Sequence, residues 1–115
     1  MLILRLSTSQ GPAPLSLEIS SIAASSARAT ITTTWPHADV TYLNYDIYLA
    51  PSVAPADRVL DFAANLAGPQ LQVRAGQLVI PANSYTHGSS PNAYGPTILF
   101  DTPYAYTGGH LNIEI

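Results

Sequence analysis

Apolar and polar positions alternate along this chain in short stretches broken by turn residues. The last eighteen residues, Ile98 to Ile115, are the clearest case: Ile98 and Phe100 alternate before a Pro-aromatic-Gly-Gly connection, and Leu111, Ile113 and Ile115 alternate after it. A strand, a tight corner and a returning strand are written this way, so the pattern predicts a closing hairpin.

At the other end, Met1–Leu6 is an apolar run that meets the breaker stretch Ser7–Pro14, and reads as a strand leaving on a connector. Leu15, Leu17, Ile19 and Ile22 predict a half-buried strand, and the small, polar Ser21–Ser26 a turn. Ala29, Ile31, Thr33 and Trp35 alternate with threonines up to Pro36, a β-branched density suited to a pleated surface. Val40–Ala50 is the longest strand predicted. Its apolar parity changes between Tyr42 and Tyr45, which predicts a bulge near Leu43–Asn44.

Residues 51–68 carry the one helical signal: Pro55 suits a first turn, Val59, Phe62, Ala63 and Leu66 recur at helical spacing, and Gly68-Pro69 stops the run. Leu71/Val73 and Leu78/Ile80 then flank Gly76 as a kink, and residues 82–96 form a long Ser-, Gly-, Pro- and Asn-rich loop of the kind that often carries function. Seven or eight short strands with one short helix predict an all-β fold. The expected form is an antiparallel β-sandwich, jelly-roll or Ig-like, occupying residues 1–115 as a single domain.

Composition narrows the function classes. Charged residues make up 10% of the 115, against about 25% in ordinary soluble domains. Lysine is absent, and the surface must be wetted by hydroxyls and amides, a habit of secreted proteins. A net charge of -3 with four dispersed arginines argues against nucleic acid as a partner, because phosphate neutralisation needs a basic face. With no cysteine there is no disulfide framework and no thiolate chemistry. No apolar run approaches the roughly 18 residues of a membrane helix, so no membrane insertion is expected. The start lacks the charged and long apolar regions of a signal peptide, which points to a mature or trimmed form or to another route of export.

The closing residues Pro103, Tyr104, Tyr106, Gly108, Gly109, Leu111, Glu114 and Ile115 carry a pattern that resembles a set of secreted bacterial proteins, many with a PEP-CTERM sorting signal. Phe62, Ala63 and Asn65, then Gly76 and Leu78, are similar to upstream steps of the same family, and the likeness spans roughly residues 40–115. It implies an exported, extracellular or cell-surface β-sandwich and supplies no catalytic residues. The chain lacks that family's Pro-Glu-Pro motif and trailing anchor.

No catalytic residue, cofactor or metal is assigned. His37 and Asp39 would share a strand face, but no third ligand is placed beside them, and Asp57, Asp61 and Asn65 read as the solvated face of the helical segment rather than a calcium site. The seven acids show no privileged pair, and there is no nucleophile elbow or phosphate loop. Trp35, Tyr45, Phe62 and Phe100 sit on core parities, while Tyr106 before Gly108-Gly109 is placed to bond a backbone carbonyl in the manner of a tyrosine corner.

Two roles follow. One is a non-enzymatic, self-assembling structural domain. In it Leu2, Ile3, Leu4 and Leu6, within an exchangeable segment 1–8, complete a sheet in a copy of the chain. The other is a carbohydrate-binding or adhesive module in which Tyr85, His87, Asn92 and Tyr94 of the 82–96 loop read surface glycans.

Overall fold

Alternating apolar residues form strands wherever a partner covers one face, and here every strand pairing is antiparallel. The computed structural model describes residues 2–10, 17–26, 34–87 and 92–115. Among them are strands β1 (Leu2–Gln10), β2 (Leu17–Ser26), β3 (Val40–Tyr42), β4 (Ile47–Ser52), β5 (Leu71–Arg74), β6 (Leu78–Ile80), β7 (Ile98–Tyr106) and β8 (His110–Glu114). They form a sheet β1-β2-β7, a sheet β5-β4-β8 and a two-stranded ribbon β3-β6. The fold is all-β, as the alternation predicts. Most of the strand expected over residues 29–35 lies outside the described residues.

The two three-stranded sheets close over one core, to which Ile19 and Ile22 come from β2, Ile98 and Tyr104 from β7, Ile47 and Leu49 from β4, and Val73 from β5. Ile47, Leu49 and Val73 are fully buried. Register irregularities decide which residues reach this core. β2 carries Ser20 as an extra residue between the pairs Ser7↔Ser21 and Thr8↔Ile19, and the bulge turns both Ile19 and Ile22 inward. β7 matches β2 at Tyr104↔Ile19 and Leu99↔Ser21, which leaves 100–103 unmatched. Pro103, with no N–H to give, lies in that unmatched stretch. Asp101, in the same stretch, accepts the Ala75 N–H at 3.0 Å and ties β7 to the chain just beyond β5.

Four expectations are corrected. Residues 98–115 are not a hairpin, since β7 pairs with β2 in one sheet and β8 with β4 in the other. The Gly108-Gly109 corner, at φ 97° and 81°, carries the chain from sheet to sheet. The Tyr106 hydroxyl does donate to a backbone carbonyl, that of Gly109 at 2.8 Å, and braces the corner.

Next, the parity change after Tyr42 is a change of sheet rather than a bulge, because β3 pairs with β6 and β4 with β5 and β8. Strands 40–52 and 71–80 therefore form one long ribbon interrupted at 43–46 and 75–77. Its break is stapled by side chains. The Arg74 guanidinium donates to the carbonyls of Tyr45 (2.7 Å), Gly76 (3.2 Å) and Gln77 (2.7 Å), while the Asp46 carboxylate accepts the Gly76 N–H (3.1 Å).

Third, residues 51–68 hold two 3-10 turns, Pro55–Asp57 and Ala63–Asn65, instead of one helix. The apolar residues of the helical pattern do not find a core, and Val59 and Phe62 are exposed. The turns are held by Asn65, whose amide clamps both backbone groups of Val59 at 2.8 and 2.9 Å, and by Asp61, which accepts the Ala63 N–H. Asp57, Asp61 and Asn65 thus do not form a row of free oxygens.

Last, Ser21–Ser26 is strand, not turn, and β1 runs through Ser7–Gln10, into the expected breaker. Ser21–Ser26 pairs over Leu2↔Ser26 to Ser7↔Ser21, and Thr8–Gln10 pairs with residues 17–19, a case of partner overriding weak local propensity. Leu2, Ile3, Leu4 and Leu6 accordingly lie in a strand of the chain's own sheet, at its edge.

Replacing Leu49 by Ala should lower the unfolding free energy by about 2–5 kcal/mol, the usual cost of a cavity in a packed core. Leu60→Ala, at a fully exposed position, should change it by less than about 0.5 kcal/mol. Urea unfolding of both variants checks this, and equal effects would place the core elsewhere.

Candidate functional site

The interrupted ribbon continues past β3 and β6 to one further rung. The backbones of Trp35 and Tyr85 exchange two hydrogen bonds, Trp35 N–H to Tyr85 carbonyl at 3.0 Å and the reverse at 2.8 Å. Such a rung brings the two Cα atoms opposite each other, so the side chains meet: the rings lie 5.6 Å apart between centroids at 57°.

The turn that returns the chain for this contact is built from polar groups. Asn83 sits at φ 59° and donates its N–H to the Pro36 carbonyl. Thr34 donates its hydroxyl to the Asn83 side chain, and Asp39 accepts the Ala82 N–H at 2.8 Å. Asp39 is thereby committed to the loop. His37 is exposed.

A second ring pair follows at the break in the ribbon. Tyr42 ends β3 and Tyr45 lies in the gap, with centroids 5.5 Å apart at 57°, and the Arg74 guanidinium stands 6.0 Å from the Tyr45 ring centre. The two pairs feel each other. Burial raises the Tyr85 hydroxyl above the usual 10.0, and Tyr45 and Tyr42 add to the effect. Burial likewise raises Tyr45, with a further push from Tyr42 and an opposing pull from Arg74. Trp35 (43%) and Tyr42 (41%) remain broadly exposed, while Tyr45 and Tyr85 are half-buried. The result is an aromatic face along one end of the ribbon.

The 82–96 loop contributes to it in part. Tyr85 is at its centre. The Tyr85 ring lies on Gly95, where an added Cβ would fall inside contact distance of the ring, so only glycine leaves room for it. Tyr94 is next to that glycine and 38% exposed. His87 is exposed and makes no hydrogen bond or ion pair with the described residues.

Asn92 is buried at 4% and so is withdrawn from the surface role expected of it. Residues 88–91 lie outside the described residues. Trp35, which parity assigns to the core, instead belongs to the face, Tyr45 packs against the core as expected while also bordering the face, and Tyr42 was missed. The parity change between Tyr42 and Tyr45 was the available signal, since residues either side of a sheet change need not point into the same core.

The geometry offers ring faces flanked by hydroxyls, and among the described residues no three His, Cys, Asp or Glu side chains gather as metal ligands. Among the same residues no helix is long and apolar enough to cross a membrane. The chain is thus an all-β domain bearing an exposed aromatic cluster. Comparison with family models, curated proteins and solved structures returns no match, so the likeness of the closing motif to secreted bacterial proteins rests on its residues alone.

The raised tyrosines set a stability limit at alkaline pH. Burial also raises Tyr104, in the core. Because the unfolded chain releases these phenolic protons first, the stabilisation is complete below 10.0 and lost as pH rises through the raised values. Urea unfolding should weaken steadily above 10.0, and an absorbance titration should show late-ionising tyrosines. A full complement titrating at the ordinary value would contradict the burial.

Proposed function

We propose that this domain is a non-enzymatic, extracellular or cell-surface module that binds carbohydrate chains, with Trp35, Tyr42, Tyr45 and Tyr85 as its binding face. The observation that supports it is the exposure of Trp35 and Tyr42 beside a core whose central residues are fully dry. Rings left in water forgo about 25 cal/mol per Å² of burial, and a ligand that covers them recovers it. A pyranose suits the rings because its C–H face lies on an aromatic face while neighbouring hydroxyls and amides reach its polar rim. The low charge and the closing-motif likeness support export.

Covering one such ring is worth about 2 kcal/mol, or roughly thirtyfold in affinity. In affinity electrophoresis against a panel of soluble polysaccharides, Trp35→Ala should lose about that much binding. Gly95→Ala should weaken it by displacing the Tyr85 ring. Leu99→Ala, exposed on β7, should bind as the parent does. A panel that stays blank, or a Trp35→Ala variant that binds normally, ends this reading.

A second reading, assembly with copies of itself, is favoured by β1. This nine-residue strand stands at a sheet edge and, among the described residues, pairs on one side only. An open edge is a template for strand addition. Alternate residues of an edge strand turn their N–H outward, so of Leu4→Pro and Arg5→Pro one removes an outward donor and the other an inward one. Light scattering should show the parent growing with concentration and the outward variant folded but monomeric. A parent that stays monomeric throughout excludes assembly by this edge.

A further inference from the structure

Away from the aromatic face, the segment after β4 encloses a cleft of about 340 Å³ against the start of β8, within the range of about 300–1,000 Å³ of small-molecule sites. Its lining includes Ser52, Arg58, Phe62, His110, Leu111 and Asn112. The walls are held in place on both sides. Val53 donates its N–H to the Asn65 carbonyl at 3.0 Å and Ala67 to the Pro51 carbonyl at 2.8 Å, so the segment is laced back onto the end of β4. The register Ser52↔His110 and Ala50↔Asn112 puts Ser52, His110 and Asn112 on one face of the sheet.

The chemistry of this lining is directional. Of the two arginines whose side chains are described, Arg74 is committed to three carbonyls, whereas Arg58 makes no side-chain hydrogen bond or ion pair among the described residues. Asp61 accepts the Ala63 N–H, and Asp57 forms no ion pair among the described residues. In a chain of net charge -3, a guanidinium with no side-chain partner among the described residues, lining one cleft with an imidazole and an amide, offers donors to an anion. A guanidinium fork matches a carboxylate in two parallel hydrogen bonds. The Phe62 ring, 43% exposed, with Val53 and Pro55 supplies an apolar wall beside it.

We infer that this cleft binds a carboxylate carried on a body with an apolar face, the carboxylate on Arg58 with His110 alongside, and the body against Phe62 and Pro55. Asn112 and the Ser52 oxygen then stand ready for hydroxyls, which a uronate sugar carries. A short fatty acid uses the guanidinium and the apolar wall alone. The inference rests on this lining and not on the aromatic face.

The test is a titration of the intact domain, followed by amide chemical shifts, with glucuronate and hexanoate, each beside its neutral counterpart, glucose and hexanamide. At least one carboxylate should bind with shifts centred on Arg58, His110 and Asn112, and its neutral counterpart about tenfold or more weakly. Glucuronate binding identifies a sugar acid as the source, hexanoate binding an aliphatic one. Arg58→Gln should lose about tenfold or more of the affinity, while Leu99→Ala, exposed on β7 and in neither site, should leave it unchanged. Equal binding of acid and neutral partner, binding of neither acid, or an unaffected Arg58→Gln overturns the inference.

Discussion

The structure depends on how a single break in a β-ribbon is satisfied. Where strands 40–52 and 71–80 leave register, the carbonyls of Tyr45 and Gln77 are taken up by a side chain instead of the regular ladder, and a buried polar group left unpaired costs about 1–3 kcal/mol. Arg74 supplies donors to both and to the Gly76 carbonyl, Tyr45 donates its N–H to Gly76 at 2.9 Å, and Asp46 takes the Gly76 N–H. Gly76, at φ 93°, is what lets the chain turn there. With the break closed in this way, one half of the ribbon can join β8 and bury Ile47, Leu49 and Val73, while the other turns out as β3-β6. A continuous ribbon would have to choose one of these surroundings.

That division explains why the chain has both a dry core and wet aromatics. In a strand of fixed parity, Tyr45 and Tyr42 would fall on opposite faces, as positions three apart do. The break frees them from that rule, and their rings meet. The same freedom places Arg74 against the Tyr45 ring, so the residue that satisfies the backbone also orders one edge of the aromatic face. Beside the rings stand the carboxylates of Asp39 and Asp46, each committed to a backbone N–H.

Much of the local pattern was legible in the sequence, and its long-range meaning was not. The strands around Ile47, Val73, Ile80, Ile98 and Ile113 are where alternation puts them, and the hydroxyl of Tyr106 does reach a carbonyl at the Gly-Gly corner. But a corner that closes a hairpin and one that crosses between sheets have the same local sequence, and only the choice of partner by β8 separates them. Ser21–Ser26 has the composition of a turn and becomes strand because β1 is there to pair with it. The helical spacing of Val59, Phe62 and Leu66 lacked a surface to bury against, and the Asn65 side chain settled the segment by binding backbone instead. At the candidate site, Tyr85 and Tyr94 stand out by composition. Trp35 was hidden by its agreement with a core parity, and Asn92 by the assumption that an amide in a polar loop faces water.

The Gly108-Gly109 corner has a further consequence, because β8 reaches the second sheet only through it. β8 brings Leu111 and Ile113 against the core and His110 and Asn112 to the cleft, so one short strand contributes to packing and to the cleft alike. The aromatic face hangs on the opposite part of the same ribbon. Tyr45 and Ser52 are seven residues apart in largely extended chain, roughly 20 Å at about 3.3 Å per residue. Groups that far apart with no shared partner act additively, so a ligand on either surface changes the other only through the stability of the ribbon that carries both. That coupling would have to pass through the break, where Arg74, Tyr45 and Asp46 hold the two strands together.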